Sequence, residues 1–364
     1  MSGRLPLYRG DATTQTAAAC FQPKRQPGLV QPVWAGNAGL WYDKFCDCWS
    51  SDFSDVAKPE WVESVIHPRG TNGTPDRDKG TVQTGDPALL TEAARRRAAL
   101  AQVLGGRCLD FILESRLLTG TGRSHPVKNG VAWHPTLGVP FLAGSGVKGL
   151  LRTWARLEGD ADLVALFGPA AGDTLAVGAI AILDALPLAP VTLAAEILTP
   201  HTGPWNEVAP DGRSPKELKD APADWHNPVP IPLLAVEAGA RFQFILLPGP
   251  GAAPTGGSAQ ALDKCAAWLA EALRDLGAGA KTTSGYGRFR PANAPAPVDP
   301  DVTLPLRARP AGGSSKGGGM PSSRKRGTVD GREVEVRQLN GEKCFVVFLD
   351  NNETDEVPTS DVEF

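Results

Sequence analysis

Apolar residues recur at helical spacing in two long stretches of the chain. Val147, Leu150, Leu151 and Trp154 predict a helix from Ser145, as its cap, to about Leu157. Residues 259–276 predict a second, amphipathic helix. A third helix begins at Asp86, which precedes Pro87 in the manner of an N-cap, and it stops at Gly105 after Leu104. Continuous β-rich runs predict strands at 107–118, 175–183, 191–198, 233–236, 241–247 and 286–289. The pair 233–236 and 241–247 reads as a hairpin about Glu237 to Ala240. Stripped of insertions, the order is β-α-β-β-(hairpin)-α-β. That is an α+β unit of the ferredoxin-like or RRM-like kind, the split βαβ motif, and this fold serves many functions.

The pattern changes after residue 290. Residues 291–326 are dominated by Pro, Ala, Gly, Ser and basic residues without periodicity, which predicts a flexible basic linker. Residues 327–364 return to short β-rich runs separated by turn residues and predict a small all-β, SH3-like C-terminal barrel. The expected organisation is therefore a domain over 1–290 with an N-terminal extension, a linker over 291–326 and an acidic barrel over 327–364.

Length and composition sharpen this. The 364 residues, 41% hydrophobic, can bury two cores, and 41 Gly with 33 Pro predict many turns and long loops. The net charge of −3 gives no global basic field, but it is a cancellation. Residues 91–156 hold ten Lys or Arg against three acids, and 303–326 hold six against none. Residues 327–364 hold three basic and ten acidic residues, a local −7. The basic parts can meet phosphate, whereas the acidic barrel should be repelled by it. No run of 18 apolar residues and no N-terminal apolar segment occurs, so no membrane association and a cytoplasmic location are expected. Six dispersed cysteines read as reduced thiols. Cys46 and Cys48, one residue apart with His67 downstream, do not have zinc-site spacing, and neither metal nor cofactor is expected.

Two segments carry chemistry. Residues 138–152, GVPFLAGSGVKGLLR, form a glycine-rich turn feeding a helix start. Free N–H groups there favour an anion, and Lys148 and Arg152 follow one turn apart. The spacing of Gly144 and Lys148 excludes a Walker A motif. An ordinary capped helix with solvated basic residues is the plain alternative. Residues 277–289, GAGAKTTSGYGRF, form a second glycine loop bearing Lys281, Tyr286 and Arg288. Glycine permits close backbone approach to a ligand, and the basic and aromatic side chains suit a ribose-phosphate chain.

Two such loops, in this order on an α+β unit, resemble the RAMP superfamily of CRISPR proteins. Pro140 to Arg152 resembles the family's first-helix motif, Leu166 to Gly168 its companion, and Gly277 to Phe289 its C-terminal glycine loop. Segments 37–44, 117–126, 197–201 and 224–230 are similar to the sixth-subunit family of type III-B (Cmr) effectors. The resemblance covers about residues 35–290, with Gly146 standing where a second serine is usual. It implies a non-catalytic subunit that binds crRNA, meets target RNA indirectly and contacts other Cmr-type subunits, above all the backbone RAMP subunit. The RNA-binding residues implied are Arg123, Lys128, Gly144, Ser145, Lys148, Arg152, Lys281, Tyr286 and Arg288. Trp205 and Trp225 would stack on RNA, pack on a neighbouring subunit or bury part of their own loop.

The competing expectation is a RAMP endoribonuclease cutting crRNA precursor or target. Its catalytic groups would be Asp43, His125 and His201, carboxylate and imidazoles being the usual acids and bases.

Overall fold

The computed structural model describes residues 21–50, 52, 54–70, 74–169, 177–200, 226–249, 257–294, 325–329, 332–340, 343–348 and 354–358. The chain divides into two compact units, Met1–Ala296 and Pro297–Phe364. The expectations for His201, Trp205 and Trp225 lie outside the described residues.

The first unit opens with short strands β1 (Pro23–Lys24) and β2 (Val33–Trp34), then helices α1 (Ala38–Lys44), α2 (Lys58–Glu63) and α3 (Pro87–Val103). Next come β3 (Arg107–Leu113), α4 (Gly144–Leu157), α5 (Leu163–Phe167), β4 (Ile180–Ile182) and β5 (Leu186–Pro187). Strands β6 (Leu193–Leu198), β7 (Ile231–Val236) and β8 (Arg241–Pro248), helix α6 (Gly257–Asp275) and strand β9 (Phe289–Pro291) complete it. The second unit is an antiparallel sheet ordered β10 (Lys325–Val329), β11 (Arg332–Asn340), β12 (Lys343–Phe348) and β13 (Thr354–Pro358).

The main sheet runs β4-β8-β3-β9, all antiparallel, with β5 also on β8. Its centre, β8, is buried on both faces. Phe242, Phe244 and Leu246 face the large core with Val147 and Leu151 of α4 and Leu262, Cys265 and Leu269 of α6. Ile245 and Leu247 meet Ala101 of α3 on the other face. Asp86 caps α3 through Oδ1, which accepts from the amides of Ala88 at 2.9 Å and Leu89 at 3.0 Å.

Four expectations are corrected. The 233–236 and 241–247 strands are not a hairpin: β7 pairs with β6 in a separate two-stranded sheet, while β8 joins β3. The apolar pattern demands a partner for each strand without naming it. The predicted strand 107–118 is regular only to Leu113, then bends. Leu113 accepts from Gly239, while Leu117 exchanges backbone bonds with Val236, so one segment serves both sheets. The last strand begins at Phe289, because Tyr286 and Gly287 belong to the loop turning into it. The N-cap of α4 is Ala143 and no side chain of its own caps it; the Asp184 carboxylate, forty residues on, accepts from Gly144 N at 2.7 Å.

Candidate functional site

Segments 119–123, 141–150 and 277–282, all glycine-bearing, surround a cavity of about 550 Å³. Each wall has a local cause. Gly144 starts α4 where the β4 end passes closely: a Cβ there would stand 2.2 Å from Ile182 O. The glycine loop is laid along the bent continuation of β3, with Ala280 N donating to Leu118 O at 2.7 Å and Gly287 N to Arg116 O at 2.9 Å. Thus the two loops singled out in the sequence come together, and Gly120 to Arg123 joins them.

The basic residues divide into two groups. Arg123, Lys128 and Lys281 are exposed, Lys148 is half-buried, and none makes an ion pair among the described residues. Burial and the neighbouring Arg152 lower the Lys148 ammonium below its ordinary value. Among the described residues, Lys128 and Lys281 are the non-glycine ones with left-handed backbones, at φ 77° and 58°. The others are engaged. Arg152 Nη1 donates to Gly168 O at 3.1 Å, closing the end of α5, and Arg288 Nη2 donates to Thr282 O at 3.2 Å within its own loop. Their guanidiniums shape the walls. At the helix start, Asp184 occupies the Gly144 amide, so that anion position is held internally. Ser145 and Gly146 are exposed beside it, and a Cβ on Gly146 would meet nothing within 4 Å.

A network not expected from the sequence ties the loop to the second sheet. Arg116 donates from Nη1 to Glu196 at 3.0 Å and from Nη2 to Glu237 at 2.8 Å. Hydrogen bonds to Glu237 and then Glu196 raise the Arg116 guanidinium above its ordinary value, and Tyr286 also bonds Glu196. Nothing in the local pattern pairs Arg116 with residues 80 and 121 positions away. Tyr286 thereby faces a carboxylate, and its hydroxyl rises above its usual value through burial and Glu196.

The 37–44 segment is structural. Asn37 Oδ1 accepts from Leu40 N at 2.9 Å, and its Nδ2 donates to Pro135 O at 2.8 Å. Trp41 and Tyr42 are buried in an aromatic cluster with Phe21, Trp34 and Trp61. Asp43 follows at the edge, with Oδ1 3.8 Å from His125 Nε2. Burial raises its carboxyl, while Lys44 and Arg123 pull it back.

His125 stacks on Tyr42 at 4.3 Å between ring centroids. Its Nδ1 accepts from Val127 N at 3.3 Å, which leaves Nε2–H to donate to Tyr42 O at 3.0 Å. Burial holds the ring below its ordinary value. Burial likewise lowers His134, whose Nδ1 accepts from Leu137 N. The unfolded chain protonates these rings as pH falls through about 6.5, whereas the folded chain resists. Stability should therefore fall below about pH 6.5, until the lowered folded values are passed. Thermal melts between pH 7.5 and 5.5 should show this loss, and His125→Gln should flatten it. An unchanged slope in the variant would assign the loss to other groups. Asp43, with its raised value, acts in the opposite sense at lower pH.

Cys46, Cys48, Cys108 and Cys265 are free thiols. Among the described residues no His, Cys, Asp or Glu group is arranged to hold a metal, and no helix is long and apolar enough to cross a membrane.

This layout defines the class: an α+β domain whose glycine-rich loops converge beside the sheet, with cations around them that make no ion pair among the described residues. The chain belongs to the RAMP superfamily, whose family model matches residues 110–290, the stretch that contains both loops. It is 32% identical over 134 residues to the CRISPR system Cmr subunit Cmr6 of Pyrococcus furiosus, covering 35% of this chain and 34% of that protein. The match thus spans about a third of the curated relative's length. Among solved structures, similarity extends to a chain of the type III-B Cmr-beta complex bound to cognate target RNA. That match has a TM-score of 0.43 at 15% identity, over 70% of this chain and 87% of the other. The crystal structure of Cmr6 from Pyrococcus furiosus gives a TM-score of 0.32 at 23% identity, over 51% and 97%.

Proposed function

We propose that the chain is a non-catalytic crRNA-binding and assembly subunit of a type III-B CRISPR effector, capping the backbone filament near the crRNA 3′ region. The observation that carries this reading is the convergence of three glycine-rich segments on one cavity, with Arg123, Lys148 and Lys281 on those segments and free of ion pairs among the described residues. Bare backbone lets a sugar-phosphate chain approach, and uncommitted cations supply sequence-independent attraction, leaving recognition of the target to base pairing. The Cmr6 similarity supports the type III-B assignment. The partners under this reading are crRNA, target RNA through the guide, and the other Cmr-type subunits, chiefly the backbone RAMP subunit. The site needs no cofactor.

The first unit is read as ferredoxin-like. Numbering only β3, β4, β8 and β9 as first to fourth, the sheet order is 2-3-1-4, and α4 and α6 make the two crossovers. The second unit is read as an SH3-like barrel formed from its four-stranded meander.

The endoribonuclease alternative draws on the Asp43–His125 approach of 3.8 Å. Against it, both His125 nitrogens are bound to backbone groups, so the ring relays a proton only by giving up one of those bonds. Co-expression with the remaining effector subunits tests the proposal: the chain should co-purify with them and with crRNA. In that assembly His125→Ala and Asp43→Ala should leave target cleavage nearly intact. A loss of about a hundredfold, the scale of a missing acid or base, or failure to co-purify, would overturn it.

A further inference from the structure

We propose that Arg116 is a positioning residue for RNA binding: its guanidinium pins the hinge between the two sheets of the first unit and holds the glycine loop at its place in the cavity wall. The consequence for RNA rests on the reading above, whereas the pin is a property of the free chain. Two segments pass between the main sheet and the β6–β7 sheet. One is the continuation of β3 through Glu114, Ser115 and Arg116 to Leu117, and the other is the turn from Glu237 to Ala240 between β7 and β8. They are tied together at both ends. Leu113 N donates to Ala240 O at 2.9 Å and Gly239 N to Leu113 O at 2.7 Å on the main-sheet side, and Leu117 exchanges bonds with Val236 on the other.

Between those ends the Arg116 side chain joins one segment to the other. Its Nε donates to Glu237 Oε2 at 3.2 Å and its Nη2 to Oε1 at 2.8 Å, a bidentate fork, while Nη1 donates to Glu196 Oε2 on β6 at 3.0 Å. Glu196 also accepts from the hydroxyl of Tyr286 in the glycine loop. The same bend grips that loop by its backbone. Arg116 O accepts from Gly287 N at 2.9 Å, Ser115 Oγ from Arg288 N at 3.0 Å, and Glu114 N donates to Arg288 O at 2.8 Å. One side chain thus links both hinge segments, β6 and, through Glu196, the loop. A guanidinium offers three nitrogens in one plane to two carboxylates, which an ammonium, a point charge on a flexible stem, does not.

Arg116 acts through these groups and not on RNA itself. The described lining of the cavity contains Gly277 to Ala280 and Thr282 but not Arg116. Nε, Nη1 and Nη2 are each committed to a carboxylate oxygen. With two carboxylates around one cation, the cluster carries more negative than positive charge and gives a phosphate no reason to approach. What RNA meets is the loop and the Lys281 within it, and the reach of that cation depends on how firmly the loop is held.

The test measures amide hydrogen exchange and binding of a short unstructured RNA across a salt series, on the full chain and on Arg116→Lys and Glu237→Gln. Arg116→Lys keeps the charge and loses the fork. Exchange over residues 277–288 should quicken roughly tenfold, the scale of one lost charge-assisted hydrogen bond, while α4 and α6 stay protected. RNA affinity should fall roughly fivefold or more, with the salt slope unaltered because no phosphate contact is removed. Glu237→Gln raises the net charge by one, so a purely electrostatic account has RNA bind more tightly, whereas loss of the pin has it bind more weakly. This variant also carries the comparison should Arg116→Lys fail to fold. Wild-type exchange and affinity in Arg116→Lys, or tighter binding by Glu237→Gln, overturns the proposal. So does exchange that quickens evenly across the whole first unit, which would make Arg116 a contributor to global stability alone. If the wild-type chain shows no salt-sensitive RNA binding, the RNA reading falls, and the exchange data by themselves uphold or overturn the pin.

Discussion

Gly287→Ala should destabilise the first unit by roughly 3 kcal/mol or more, and Gly285→Ala by far less. Both glycines have positive φ, 69° and 90°, so each substitution carries the left-handed penalty of about 1–2 kcal/mol. They differ in surroundings. A Cβ on Gly287 would stand 1.9 Å from Ala278 O, while one on Gly285 meets nothing within 4 Å. Ala278 N donates to Gly287 O at 2.9 Å, and Gly287 N donates to Arg116 O, so the loop has no slack with which to retreat. Relief requires breaking these backbone bonds and leaving their groups unpaired, which places the change among the strongly destabilising mechanisms. In a unit of this size about 3 kcal/mol is a melting shift on the order of 6–12 °C. Thermal melts of the two variants check it. Equal shifts would mean that the close approach contributes nothing and that only backbone strain matters.

The second large effect is on RNA affinity. Reversing Arg123, Lys148 and Lys281 together to Glu should weaken binding of a single strand at least tenfold and flatten its salt dependence. Every phosphate that is no longer neutralised takes about 0.7 off the logarithmic slope. These cations are free of ion pairs among the described residues, so their removal leaves no internal carboxylate unpaired and the fold should persist. Arg152→Gln and Arg288→Gln should behave differently, lowering the melting temperature because the bonds to Gly168 O and Thr282 O disappear. Arg152 and Arg288 belong with the cations in a reading of sequence alone, and only their partners separate them. A titration of RNA binding against salt, run beside melts for both sets, distinguishes the roles. If the triple reversal leaves affinity and slope unchanged, the glycine-lined cavity is not on the RNA path.

The aromatic cluster around Tyr42 shows how a motif acquires a structural meaning. Segment 37–44 was legible as a family-like pattern, with Asp43 its conspicuous acid. Its fixed residues cap a helix, bury two rings and supply a carbonyl that accepts from both Trp61 Nε1 and His125 Nε2. Those bonds come from residues 19 and 83 positions away.

What the sequence determined by itself is what depends on neighbouring residues. The Asp86 cap, the apolar stripes of α4 and α6 and the glycine-rich loops are set within a few residues by backbone sterics, local hydrogen bonds and the 3.6-residue period. The RAMP resemblance was carried by those same loops. Tertiary structure decided what depends on distant partners. It paired β7 with β6 instead of β8, because hydrophobic alternation places a strand in a sheet but is silent on which edge it joins. It supplied Asp184 to the start of α4 and bound Arg116 to Glu196 and Glu237. It divided side chains of the same charge into cations free of ion pairs among the described residues and engaged ones, because a charge's role depends on which groups lie within hydrogen-bond reach, and folding alone sets those distances.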